Sequence, residues 1–256
     1  NSITFGAGIG NRDKDSYPAV LGQMLGDGYE VRNFGFSART LLNKGDHPYM
    51  KERMFQDVLQ YRPDIVVVKL GTNDSKAYNW RYGSEFSKDL ETLVTAFQKL
   101  PSRPLIYLCY PAKAYCLQYG IQDSVIVHGI IPLLRECARK KHLQVIDMHS
   151  ATSGMPQNFP DCVHPNEAGA IVMAETVYKA LTGKEMKHTM QAFPGRKSAW
   201  SGYDRYDFRF RGREAIVVCP RQVAPGKPWI WRPAFFGAFP AVDKALLENG
   251  FHVAYY

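Results

Sequence analysis

No stretch of the 256 residues strings eighteen apolar side chains together, so nothing in the sequence reads as a membrane-spanning helix. No Cys-x-x-Cys pair occurs, and the five cysteines (Cys109, Cys116, Cys137, Cys162 and Cys219) are odd in number. Both facts argue against a disulfide scaffold and against a structural zinc site, while leaving room for one bridge. Cys162, between Asp161 and Val163, is expected to pack inward as a small apolar side chain. A Gly-x-Ser-x-Gly elbow is missing; the nearest match, Gly35-Phe-Ser37-Ala-Arg39, lacks the last glycine. Internal repeats, low-complexity tracts and nucleic-acid-binding signatures are absent too.

What is present has the balance of a soluble globular protein, with 45% hydrophobic and 22% charged residues. The length allows one large domain or one and a half ordinary ones. The net charge of +8 is uneven: residues 1–185 carry +2 and residues 186–256 carry +6. The basic excess is interleaved with strand-like segments such as Arg205-Tyr-Asp-Phe-Arg-Phe-Arg, so a solvated face is expected and no nucleic-acid partner.

Periodicity and punctuation predict alternating elements. Helices are expected over Tyr17–Leu25, Pro48–Gln60, Glu85–Leu100, Asp123–Lys141 (bent near Pro132) and Asn166–Leu181. Strands are expected over Tyr29–Phe34, Ile65–Leu70, Leu105–Tyr110 and Val145–Asp147. Ile65–Leu70 is nearly all apolar, as a parallel strand covered on both faces requires. Strands separated by helices imply an α/β fold, a three-layer α/β/α sandwich around a parallel sheet.

The chemistry concentrates in Asp161-Cys-Val-His164-Pro-Asn166. A histidine there can take a proton from a nucleophile, and an acid three residues earlier can hold its ring in the required tautomer. Asn1-Ser2, the glycine of Asn33-Phe-Gly35, and Gly71-Thr-Asn73-Asp74 precede it in the chain. In that order these four blocks resemble those of the SGNH (GDSL-like) hydrolases over residues 1–183. The resemblance implies a flavodoxin-like sandwich and a serine esterase. It makes Ser2 the nucleophile, His164 the general base and Asp161 its orienter. Oxyanion donors would be the backbone N–H groups of Ser2 and Gly35 and the amide of Asn73, with Asp74 structural. Glycine lets the backbone come close, and an amide donates without needing to be charged.

In that family a glycine precedes the Asn-Ser or Asp-Ser pair, whereas this chain opens at Asn1 without an initiator methionine. The strand that leads into Ser2 is therefore expected to be missing from the 1–183 domain. Arg39, Trp80, Tyr110 and Tyr115 are expected to shape a pocket, because aromatic faces and an arginine suit a sugar. The expected substrate is an acetylated carbohydrate, attacked without metal or organic cofactor. A lipid-directed acylhydrolase or thioesterase, and an inactive carbohydrate-binding module, stand as the alternatives. Such a substrate implies a periplasmic or secreted enzyme.

After Gly183 the texture changes. Residues 184–204 read as a linker; Tyr206–Arg211, Glu214–Val218 and Phe251–Tyr256 as strands; and Ala241–Asn249 as a helix. With the apolar stretch Trp229–Pro240 between them, these resemble the truncated start of an α/β-hydrolase domain over 205–256. Its aromatics Trp229, Trp231, Phe235, Phe236 and Phe239 are expected to lack cover.

Overall fold

A computed structural model describes residues 1–186, 193, 195–226, 228–233, 235–238 and 240–256. The chain divides into two compact units, Asn1–His188 and Thr189–Tyr256.

Three parallel strands form the sheet of the first unit: β1 (Ile65–Val68), β2 (Leu105–Cys109) and β3 (Gln144–Ile146), in the order β1-β2-β3. Alternation sends Val66, Val68, Ile106 and Leu108 into one core, with Phe55, Phe86, Leu90 and Leu134 from the helices on that side. Tyr107, Cys109 and Ile146 enter the opposite core, with Val20, Leu21, Met173 and Val177. Both faces are thus covered, which is why these strands read as unbroken apolar runs. The helices Arg53–Tyr61, Phe86–Gln98 and Ile131–Lys141 supply one layer, and Tyr17–Leu25 packs on Glu167–Thr182 in the other. Near Pro132 the helix changes its winding. Ile126–Ile130 is a π-turn, and the α-helix resumes at Ile131 with Pro132 in its first turn.

Tyr29–Phe34 is not part of the described sheet. A cavity of about 620 Å³ separates it from β1, lined by Val31, Phe34, Ile65, Val67, Lys69 and Leu181 among others. Without a neighbouring backbone in reach, its N–H and C=O groups have no ladder to join. Ser2 opens a single helical turn, Ser2–Phe5, capped by the Asn1 side chain accepting from Thr4 N at 3.1 Å.

The second unit is a five-stranded sheet in the order β4-β5-β6-β8-β7. Its strands are β4 (Arg196–Trp200), β5 (Tyr203–Phe210), β6 (Arg213–Cys219), β7 (Trp229–Arg232) and β8 (His252–Tyr255). The first four strands in that spatial order pair antiparallel, and β8 pairs parallel with β7. The helix Pro240–Glu248 makes the crossover between them. Two readings change here. Residues 196–204, expected in the linker, form β4, its turn and the start of β5, because Arg196–Trp200 finds a full ladder on Tyr203–Asp207. Trp229–Arg232, expected as loop, is a strand on β8. Residues 187–192 and 194 of the expected linker, and Phe239, lie outside the described residues. Among the described residues no helix is long and apolar enough to cross a membrane.

Candidate active site

The site gathers at the carboxyl ends of the three parallel strands, the usual ligand edge of such sheets. β1 runs on through Leu70 into the Gly71–Asp74 turn, β2 into residues 111–120, and β3 toward the loop that ends at Pro165. Gly71 has φ +113°, a conformation that glycine tolerates.

Ser2, His164 and Asp161 form one hydrogen-bonded chain. The Ser2 hydroxyl lies 2.8 Å from His164 Nε2, and His164 Nδ1 lies 2.7 Å from Asp161 Oδ2. The other carboxylate oxygen, Oδ1, accepts the backbone N–H groups of Val163 (3.0 Å) and His164 (2.7 Å). Partial burial acts to raise the carboxyl's pKa. The N–H and ring of His164, with the Val163 N–H, outweigh it, so Asp161 is held below the ordinary carboxylate range. An ionised Asp161 at Nδ1 favours the tautomer with its proton there, leaving Nε2 free to accept from Ser2. The loop is fixed downstream by Asn166, whose side chain accepts from Gly169 N at 3.0 Å and caps the Glu167–Thr182 helix.

Two further loops meet the Ser2 turn. Asn1 Nδ2 donates to Thr72 Oγ1 at 3.1 Å, bringing the Thr72-Asn73 turn beside Ser2. Asn33 Nδ2 donates to Thr4 O at 2.7 Å, bringing in Gly35. A Cβ on Gly35 would sit 2.4 Å from Phe5 N and 2.6 Å from Thr4 C, so no larger residue fits. The Gly35 N–H donates to Asn33 Oδ1 at 2.8 Å, inside its own turn. Asn73 is buried and spends one amide hydrogen on Arg39 O at 3.1 Å. Asp74 is structural: its carboxylate accepts from Leu41 N and Leu42 N, and burial pushes its pKa up to about 6.

The four expected pocket residues are occupied elsewhere. The Arg39 guanidinium is bound to Glu52 at 2.7 and 3.0 Å and to Ser37 O, and stacks over Phe36. Trp80 packs against Phe86, Gly83 and Gly129 at the edge of the core. Tyr110 is a buried core residue whose hydroxyl meets Arg135 at 3.4 Å. Tyr115 packs on Phe159, accepts from Met155 N at 2.9 Å and donates to Thr152 O. The polar groups of Arg39, Tyr110 and Tyr115 are thus engaged by protein partners, and the Trp80 ring by packing.

Two neighbours escaped the sequence reading. Cys162 does not pack as a free thiol; it is bridged to Cys116, with Cα atoms 5.5 Å apart. Tyr119 meets both partners of the acid–base pair. Its hydroxyl donates to Asp161 Oδ2 at 3.2 Å, and its ring centroid lies 5.6 Å from that of His164. The odd cysteine count hid the bridge, and Tyr119 carries no motif. Among the described residues no group of three or more His, Cys, Asp or Glu could hold a metal ion.

Residues 1–170 match the model of the GDSL-like Lipase/Acylhydrolase family. An acetylxylan esterase of Xylanibacter ruminicola is 46% identical over 199 residues, covering 71% of this chain and 42% of that protein. The chain thus spans less than half the length of the curated relative it matches. Among solved structures, the acetyl xylan esterase AlAXEase has a TM-score of 0.56 at 24% identity, over 71% of this chain and 96% of its own. A carbohydrate acetylesterase family member from Sinorhizobium meliloti gives 0.57 at 22%, over 70% and 93%. At such identities these two speak for the fold of the first unit alone.

Proposed function

The chain belongs to the GDSL-like lipase/acylhydrolase family, and from that premise we propose that it is a serine esterase removing acetyl groups from an acetylated carbohydrate of the xylan class. The observation that carries the proposal is the continuous hydrogen-bonded run from Ser2 through His164 to Asp161.

In the proposed reaction His164 Nε2 takes the hydroxyl proton as Ser2 Oγ attacks the ester carbonyl. Asp161 stabilises the imidazolium that results. The tetrahedral oxyanion is met by the Ser2 N–H and by the second amide hydrogen of Asn73, with the Gly35 turn supporting the Ser2 helix turn against which it packs. His164 then gives its proton to the leaving sugar hydroxyl. In the second half it draws a proton from water as the water attacks the acyl-serine, and returns that proton to Ser2 Oγ as acetate leaves. No metal enters the sequence. The xylan class is favoured by the 46% identical relative, which bears the name acetylxylan esterase.

Two companion readings belong to the same proposal. The second unit is α/β-hydrolase-like, a reading supported by its antiparallel strands followed by a parallel pair joined through a helix. A periplasmic or secreted address is supported by the Cys116–Cys162 bridge, since disulfides persist in oxidising compartments.

The test is acetate release from acetylated xylo-oligosaccharides and from 4-nitrophenyl acetate, with Ser2→Ala as the control. Activity that depends on Ser2 and falls with acyl chain length is expected. Activity surviving Ser2→Ala, or a preference for acyl chains of eight or more carbons, overturns the reading.

A further inference from the structure

Residues 115–120 form a strap over the acid–base loop, tied to it from both sides. Tyr115 N donates to Cys162 O at 2.9 Å, and the next residue, Cys116, is bonded through sulfur to Cys162 itself. Upstream, Asp123 holds the strap's root by accepting from Ala114 N at 3.0 Å and pairing with Lys113 and His149. Downstream, Ile121 is buried in the core. Between these anchors stands Tyr119, with φ +56°, a left-handed conformation rare for an aromatic residue. Cys162, at the other end of the bridge, also has a positive φ, of +67°. Non-glycine residues persist in that region when their surroundings over-determine them, and such strain clusters at functional sites. Here the result is that a half-exposed tyrosine is brought onto Asp161 Oδ2, the oxygen that also receives His164 Nδ1.

We propose that Tyr119 is a positioning residue for the Asp161–His164 pair, held in reach by the Cys116–Cys162 bridge. The proposal rests on the triad reading above. Asp161 Oδ1 is fixed by two backbone N–H groups, but among the described residues Oδ2, which orients the ring, has only His164 and Tyr119. The hydroxyl stops the carboxylate from rotating about its Cβ bond, and the tyrosine ring limits tilting of the imidazole beneath it. Both constraints keep Nε2 aimed at the Ser2 hydroxyl. The bridge acts through the same route, because Cys162 lies next to Asp161 and Cys116 three residues before Tyr119.

The experiment is steady-state hydrolysis of 4-nitrophenyl acetate by the full chain and by Tyr119→Phe, Tyr119→Ala, Ser2→Ala and Asp161→Asn, each with and without dithiothreitol. A partly exposed hydrogen bond of about 1 kcal/mol predicts that Tyr119→Phe lowers kcat about five-fold with KM unchanged. Tyr119→Ala, which also loses the ring, should lower kcat further. Reductant should slow the parent chain and leave Tyr119→Ala unaffected, the coupling expected when two groups act through one contact. The double variant Cys116→Ser with Cys162→Ser should match the reduced parent, with circular dichroism confirming that it folds. An unchanged kcat in Tyr119→Phe, or a raised KM with kcat retained, overturns the positioning role; so does an equal loss on reduction in Tyr119→Ala and parent. If Ser2→Ala and Asp161→Asn stay active, it is the triad reading that fails instead.

Discussion

Lys69 is the residue whose chemistry is least settled by its surroundings. It is buried at the end of β1, lines the cavity there, and its Nζ has no hydrogen-bond partner among the described residues. Burial pushes its pKa down from 10.5 to about 8, against a small opposing pull from Cys109. In the unfolded chain the ammonium holds its proton up to about pH 10.5, so between 8 and 10.5 the unfolded state binds more protons. Stability therefore rises with pH across that window, and the full cost is present below about 8. At 1.36 kcal/mol per pKa unit that cost is on the order of 3 kcal/mol. Lys69→Met, which keeps length and drops the charge, should raise the melting temperature at pH 7 by roughly 5–10 °C. It should also flatten the rise between pH 8 and 10.5. A variant no more stable than the parent at pH 7 would refute the assignment. A second residue-scale prediction concerns Asn73. If it donates to the oxyanion, Asn73→Ala should lower kcat by a hundred-fold or more, ~3 kcal/mol, while KM barely moves. A loss confined to KM would place Asn73 outside the oxyanion site.

Residues of this kind differ in how far they can be read before a structure exists. Asp161 and His164 were legible because both partners sit in one loop at a spacing that chemistry explains, and Ser2 because three other blocks follow it in order. For Arg39, Trp80, Tyr110 and Tyr115 the sequence hid their partners. Residue type says what a side chain can bind, not what already binds it, and in the fold Glu52, Phe86, Arg135 and Thr152 engage them.

At the scale of elements, the loop Asn33–Gly35 shows how a backbone contact constrains the site. It docks on the Ser2–Phe5 turn so closely that an added methyl would meet backbone atoms of Thr4 and Phe5, neither of which can swing aside. Gly35→Ala should therefore cost about 1–3 kcal/mol of stability and displace the nucleophile's turn. Chemical denaturation and esterase turnover should fall together. Turnover lost without any loss of stability would point instead to a direct role of Gly35 at the substrate. The elements that could be read from sequence are those whose partners lie on both sides. β1 and β2 are apolar runs because helices cover each face, and the change of winding before Ile131 is announced by Pro132. Tyr29–Phe34 has the composition of a strand yet has no described ladder, since pairing depends on a neighbour that composition cannot supply. β4 was hidden for the opposite reason: Arg-Lys-Ser-Ala-Trp has weak strand character, and its ladder on β5 makes it one.

For the molecule as a whole, the proposed triad and the charge fall in different units. Ser2, Asp161 and His164 lie within Asn1–His188, while most of the positive excess lies after residue 185. In the second unit four of the cations pair with acids: Arg205 with Asp207, Arg209 with Glu214, Lys197 with Asp204, and Arg232 with the buried Asp243. Its exposed surface is also marked by aromatics. Trp229 is 67% exposed, Trp231 55% and Phe235 78%, and the first two lie on the edge strand β7. An edge strand presents unpaired backbone groups, and large apolar side chains beside them favour association between molecules. Phe236 differs, because Trp200, Tyr255 and Arg205 cover it. Ending the chain at residue 188 should therefore remove the sticky edge and keep the triad. The shortened protein should stay monomeric at higher concentration by light scattering, with acetate release per site within about two-fold of the parent. Replacing Trp229 and Trp231 by threonine in the full chain should give part of the same gain, because threonine keeps strand propensity while removing the aromatic surface. If the shortened protein aggregates more than the parent, the aromatics of the second unit are needed as cover for the first, and the two units do not fold independently.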